Sequence, residues 1–324
     1  MTFALLGIGV ALVAFAAAVV VASAALAALW PAALSAAGRA PAVSRARLLY
    51  ALRLMPAALG VIVAVALTSA AWARLEPRQT SETPGLPLLA ASGLGLILIL
   101  LSAGRGLRAW RAGRALERQW TAAGTPVQLR GVALPAYRIV HPWPVVCVVG
   151  TLRPRLFVAE KVLDACTPEE MASVVAHEAG HVTAHDNLKR LVAKFLPDVL
   201  SWIPAGRALD KAWETAAEAA ADARAAAARP GASLDLAAAL LRVARLATGG
   251  SWVELPARAL LDGASVAPRV ERLLSDETDG PSPVRMLAVW ACVLAVPAAV
   301  LAASLEPSVL RIVQQAAEAL VQAR

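Results

Sequence analysis

The sequence predicts a mostly α integral membrane protein, with four transmembrane helices and an α+β domain between spans three and four. Three observations carry this. Of 324 residues, 59% are hydrophobic and 17% charged, with a mean hydropathy of +0.62; an average soluble domain is nearer half apolar and a quarter charged. Four segments stay apolar over the roughly 20 residues that a bilayer crossing needs. The stretch between the third and fourth carries an ordinary charge density and passes from short β-rich runs to helical patterns. Disorder, a collagenous fibre, a disulfide scaffold and a simple soluble enzyme are all excluded by this composition.

The spans are expected at Phe3–Trp30, Leu48–Trp72, Leu86–Ala103 and Met286–Leu305, with Trp30 and Trp72 at ends where amphipathic rings prefer the interface. The first has no basic start and is longer than a signal sequence, so it reads as a retained span. Arg39, Arg45 and Arg47 follow it, with Arg53 just beyond; Arg74 and Arg78 stand against Glu76 and Glu82 after the second; Arg105, Arg108, Arg111, Arg114 and Arg118 follow the third. The positive-inside rule then places residues 104–284 in the cytoplasm and both termini outside, in a multi-pass protein of the cell (inner) membrane. Three regions result: 1–103 with three spans, 104–284 cytoplasmic, and 285–324 with span four and a short C-terminal helix.

The net charge is +8. Residues 104–284 hold 22 basic and 19 acidic residues, so most of the excess flanks the apolar segments and sets orientation. The partner this implies is the lipid bilayer, not nucleic acid. Cys147, Cys166 and Cys292 show no CxxC spacing and read as buried apolar residues in a reducing compartment.

Within the cytoplasmic stretch, 104–122 reads as a juxtamembrane basic helix. Strands are expected at Val127–Val132, Tyr137–Val140, Val145–Val149 and Arg155–Ala159. Helices are expected at 168–187, 188–208 (kinked or split by Pro197 and Pro204), 209–228, 233–247 and 266–275, with breaks at Pro230-Gly231 and Gly249-Gly250.

Chemistry concentrates in Val175-Ala-His177-Glu178-Ala-Gly-His181-Val-Thr-Ala-His185-Asp186-Asn187, which contains all but one of the four histidines. His177 and His181, four apart on a helix, present both imidazoles on one face and can share a metal ion. Glu178 is placed to take a proton from a water that the metal activates. Zinc suits nitrogen and carboxylate ligands with an open fourth position, and one ion per chain is expected. No histidine follows His185, so the third ligand should be a carboxylate. Glu218 is the candidate, with Glu214 its competitor one turn earlier and Asp222 on the same face, able to orient a ligand histidine.

The run from Gly150 and Pro154 through His177-Glu178-x-x-His181 to Asp186 resembles the BlaR/MecR-type membrane zinc peptidases, and Glu218-x-x-x-Asp222 is similar to that family's third-ligand motif. HtpX-type proteases of the wider gluzincin clan share both motifs. The resemblance implies a gluzincin-like zinc peptidase domain between spans three and four. It also implies a protein substrate and roles for Asp222 and Asp186 beside the ligands. His185 stands where that family often has arginine, and no sensor domain follows span four, so antibiotic sensing is not carried over.

The sequence therefore reads as a zinc-dependent metalloendopeptidase acting at the cytoplasmic side, with His177, His181 and Glu218 on the metal and Glu178 as general base. Two alternatives stay open: a signal transducer regulated by a membrane partner protein, cleaving a repressor or itself, and a non-catalytic zinc-containing scaffold. Val145–Val149 or Arg155–Ala159 would supply the edge strand for a substrate. His141 reads as a loop residue, and Arg269 and Arg272 as solvated.

Overall fold

The computed structural model describes residues 2–38, 40–77, 84–129, 131, 133–247, 266–275 and 283–322. Arg39, Arg78, Glu82, the end of the first β-rich run at Val132 and the Gly249-Gly250 break lie outside the described residues. The chain opens with α1 (Thr2–Ala37). Next, α2 (Ala42–Ile62) runs through a π-helical segment (Val63–Thr68) into α3 (Ser69–Leu75), and α4 (Leu86–Ala123) follows. Among the described residues three helices, Phe3–Ser35, Ala42–Leu75 and Leu86–Ala123, are long and apolar enough to cross a membrane.

At the place of the fourth expected span the described residues form a helix that bends sharply into the next. Of helix α11 (Pro283–Ala303), the part Val293–Ala303 meets α12 (Pro307–Gln322) at 83°, and the two together are long and apolar enough for a broken span or a re-entrant loop. Pro307 lacks the N–H and steric room to continue the preceding helix. Helix α12 folds back, with Ala317 and Val321 buried beside Leu6, Val10, Trp72 and Leu88 of the membrane helices.

Span three and the basic helix expected after it are one unbroken helix of 38 residues, about 57 Å long against a hydrocarbon core of about 30 Å. No Gly-Pro pair or cap interrupts residues 103–104, so nothing ends the helix there. Its far end enters the mixed domain: Trp120 meets Phe157 edge-on at 5.5 Å, and Phe195 packs against Gly106 so closely that a Cβ there would lie 2.3 Å from the ring.

The domain's sheet consists of β1 (Thr125–Val127), β2 (Ala136–Ile139), β3 (Val146–Val149) and β4 (Arg155–Ala159), in the order β1-β2-β4-β3. Strands β2 and β4 are parallel and the other pairs antiparallel, which leaves β3 on an edge. The first expected strand starts earlier than the β-branched run suggested, at Thr125. All four residues of β3 are buried, because helices cover the strand as well as its neighbour, so an alternating pattern would be wrong here.

Among the described residues six helices follow: α5 (Glu160–Ala165), α6 (Pro168–Thr183), α7 (Asp186–Phe195), α8 (Pro204–Ala226), α9 (Ala232–Ala247) and α10 (Val266–Leu274), with a 3₁₀ turn at Leu200–Trp202. Helix α6 begins with Pro168 at its first position and a complete capping box between Thr167 and Glu170, which satisfies two otherwise orphaned N–H groups. The helix expected over 168–187 instead breaks at His185, whose φ of 55° is left-handed. The one expected over 188–208 is split after Phe195, and α8 starts at Pro204 rather than 209.

Two clusters anchor the site. In one, the sheet packs with Met171, Val174 and Val175 of α6 and with Leu236 and Leu240 of α9. In the other, Leu48, Leu49 and Leu52 of α2 pack against Leu209, Trp213, Ala216 and Ala220 of α8. Helix α8 is thus held between a membrane helix and α6.

Candidate metal centre

Helices α6 and α8 cross where Gly180 faces Ala221. A Cβ on Gly180 would lie 3.2 Å from Ala221 Cα and 3.3 Å from its Cβ, so the glycine permits the approach that brings two imidazoles to a carboxylate. His177 Nε2 and His181 Nε2 are 3.2 Å apart. Glu218 Oε2 lies 3.4 Å from the first, and Oε1 lies 3.5 Å from the second.

These three residues each offer a donor atom within 4.8 Å of the others. A tetrahedral zinc ion with bonds of about 2.0–2.1 Å sets its ligands about 3.3–3.4 Å apart, so both the chemistry and the spacing of this set fit zinc. Glu214, the competitor, lines the same cleft one turn earlier but is not in the trio.

A carboxylate lies beside each outer ring nitrogen. His181 Nδ1 lies 2.8 Å from Asp186 Oδ2. This is possible because the left-handed turn at His185 folds the start of α7 back beside α6. His177 Nδ1 lies 2.9 Å from Asp222 Oδ1, off the line of the ring N–H. With the Nδ1 of each ring turned to a carboxylate, each Nε2 faces Glu218.

Glu178 is buried, and its Oε2 accepts the Val148 N–H at 3.1 Å. Burial raises its pKa, only partly offset by His177 and His181. Burial alone would lower the His181 pKa, but Asp186 and Glu218 reverse this and push it up to about 10; His177 moves the same way through Asp222 and Glu218. Burial alone would raise Glu218, but the two imidazoles hold it well below the usual carboxylate range.

Two contributors were not legible as such. Arg269, expected to be solvated, is 3% exposed. Its Nη2 and Nε donate to Asp222 Oδ1 and Oδ2 at 2.6 and 3.0 Å, and its Nη1 lies 3.3 Å from Glu218 Oε2. Arg272 stands 3.8 Å from Asp222 with its side chain 44% exposed, nearer to expectation. Asn187 Nδ2 donates to the carbonyls of Val148 and Gly150 at 2.8 and 3.1 Å, tying α7 to the edge strand β3. Nothing in its spacing marked it, beyond its place after Asp186.

His141 lies apart, its Nδ1 against the Trp143 backbone and its ring edge against Trp120. His185 is exposed in the turn. Cys147 is buried, and burial pushes its thiol pKa up; Cys166 is also a free thiol.

The centre opens into a cleft of 480 Å³. Val148–Thr151, His177, Glu178, His181 and Glu218 line one part of it, and Tyr50, Arg53, Trp110, Gly113 and Glu117 from the membrane helices line another. Comparison with curated proteins gives no match to the chain. Residues 148–249 match the family model described as Peptidase family M48, whose members are typically zinc enzymes. The matched segment begins within β3 and contains both helices of the His-His-Glu cluster, so the part of the chain that carries the cluster is similar to a metallopeptidase domain of the M48 type.

Proposed function

We propose that the protein is a membrane-embedded zinc endopeptidase that hydrolyses peptide bonds of a protein substrate at the cytoplasmic face, with one zinc per chain held by His177, His181 and Glu218. The reading divides the chain at 103–104 and 284–285 into a three-span region, a peptidase domain and a returning C-terminal part. The observation that carries it is the grouping of the two Nε2 atoms, 3.2 Å apart, with the Glu218 carboxylate, whose Oε2 lies 3.4 Å from His177 and whose Oε1 lies 3.5 Å from His181, and with a buried carboxylate, Glu178, next to His177 in sequence. A structural zinc site usually has four protein ligands. Among the described residues three are grouped here, and a scaffold would have no use for Glu178.

A zinc ion at this site supplies Lewis acidity to the scissile carbonyl and lowers the pKa of a water. The chain does the rest. Glu178, with its pKa raised by burial, takes the proton from the attacking water and returns it to the leaving amine. Asp186 and Asp222 hold the imidazoles by their Nδ1 atoms, and Arg269 holds Asp222 in turn. The cleft between the domain and the membrane helices accommodates the substrate chain.

Glu178→Gln keeps the side chain's size but removes the base. Proteolysis should fall about 10²–10⁴-fold while zinc content and fold persist. A proteomic comparison of cells expressing wild type or this variant would name the substrates as proteins that are cut only by wild type. Indistinguishable cleavage patterns would remove Glu178 from the mechanism.

A further inference from the structure

Arg53 lies in α2, on a helix apolar enough to cross a bilayer, yet only 3% of it is exposed. Its guanidinium reaches three points, two in the link from α7 to α8 and one in the second turn of α8. Nη1 donates to Asp198 Oδ2 at 2.6 Å, Nε to Asp210 Oδ1 at 2.7 Å, and Nη2 to Ser201 Oγ at 3.2 Å. Asp198 is buried too, and its other oxygen accepts the Ser201 N–H at 3.0 Å, so the turn is wound around the carboxylate that Arg53 holds. Three residues earlier on the same face of α2, the Tyr50 ring packs 5.6 Å from Trp213 of α8.

A buried ion cluster of this kind contributes less to stability than well-packed apolar groups of the same volume. Charges on membrane helices are costly and mark a task. What this cluster supplies is position. Asp210 and Glu218 stand on one unbroken helix, about 12 Å apart along its axis, so any displacement where α8 begins reappears at Glu218. The start of α8 is also pressed on the turn below it: a Cβ on Gly206 would lie 1.9 Å from the Leu200 carbonyl oxygen.

We infer that Arg53 is a positioning residue of the metal centre, fixing the start of α8 and thereby the stance of Glu218 toward His177 and His181. This rests on the proposal that Glu218 is the third ligand. The test uses the full chain in detergent, stripped of metal and titrated with Co(II), whose visible absorption reports its ligand symmetry. Wild type is compared with Arg53→Lys, Arg53→Met and the triple variant Arg53→Met/Asp198→Asn/Asp210→Asn, in which no uncompensated buried charge remains; His177→Ala serves as the blank. Arg53→Met and the triple variant should bind Co(II) about 10–100-fold more weakly and with an altered spectrum. The triple variant should keep the wild-type unfolding midpoint, and Arg53→Lys, which keeps the charge but loses the three-point reach, should fall between. Wild-type affinity and spectrum in the triple variant, or in Arg53→Lys should the others fail to fold, overturn the proposal. If wild type binds no more Co(II) than His177→Ala, the metal reading itself fails and the proposal falls with it.

Discussion

His181 ties the two halves of the centre together through one ring, with Asp186 on one nitrogen and Glu218 near the other. In the metal-free protein these carboxylates hold it up to about 10, against about 6.5 in an unfolded chain. A raised folded pKa gives stability that is fully present below about pH 6.5 and lost as pH rises through about 10. The same sign means that at pH 7.5 an incoming metal must displace a proton from His181. Zinc uptake measured by calorimetry in buffers of different ionisation enthalpy should therefore release at least about one proton per ion. Equal heats in all buffers would contradict the assignment. That His177 and His181 come together on one helix face, beside Glu178, was legible because i, i+4 spacing on a helix is a local property. Arg269 was not, because its burial depends on where α10 lands against α8, and no local pattern encodes that.

The helix that carries the histidines starts at Pro168, where it was expected, and a capping box between Thr167 and Glu170 fixes that start. Its end was not legible. No glycine or proline marks Ala184-His185, and a non-glycine residue adopts φ of 55° there, beside the contact that brings Asp186 to His181. The crossing with α8 depends on Gly180. Gly180→Val would push branched methyl groups into Ala221, at a site where even a Cβ sits 3.2 Å from Ala221 Cα. Overpacking of this kind costs about 1–3 kcal/mol, and here it should also weaken zinc binding by separating Glu218 from the histidines. Thermal unfolding and zinc titration of the variant check both effects; unchanged zinc affinity would show that the crossing does not set the site.

At the scale of the whole chain, composition revealed the membrane helices, but their relations were set by tertiary packing. The length of α4, the turn of α12 back onto α1 and α3, and the cleft between domain and membrane helices all arise from contacts far apart in sequence. Orientation rests on the arginines after spans one and three, and the proposal puts the peptidase domain inside. A cysteine in place of exposed Arg153, in a background without Cys147, Cys166 and Cys292, should resist an impermeant thiol reagent in intact cells and react once they are opened. Labelling in intact cells would invert the topology.

The central claim is that one zinc ion is held by two histidines of α6 and one glutamate of α8. Metal analysis of the purified full chain tests it most directly. Wild type and Glu214→Ala should carry about one zinc per chain, while His177→Ala, His181→Ala and Glu218→Ala should lose it. Full zinc in Glu218→Ala together with loss in Glu214→Ala, or no zinc in wild type, would contradict the account.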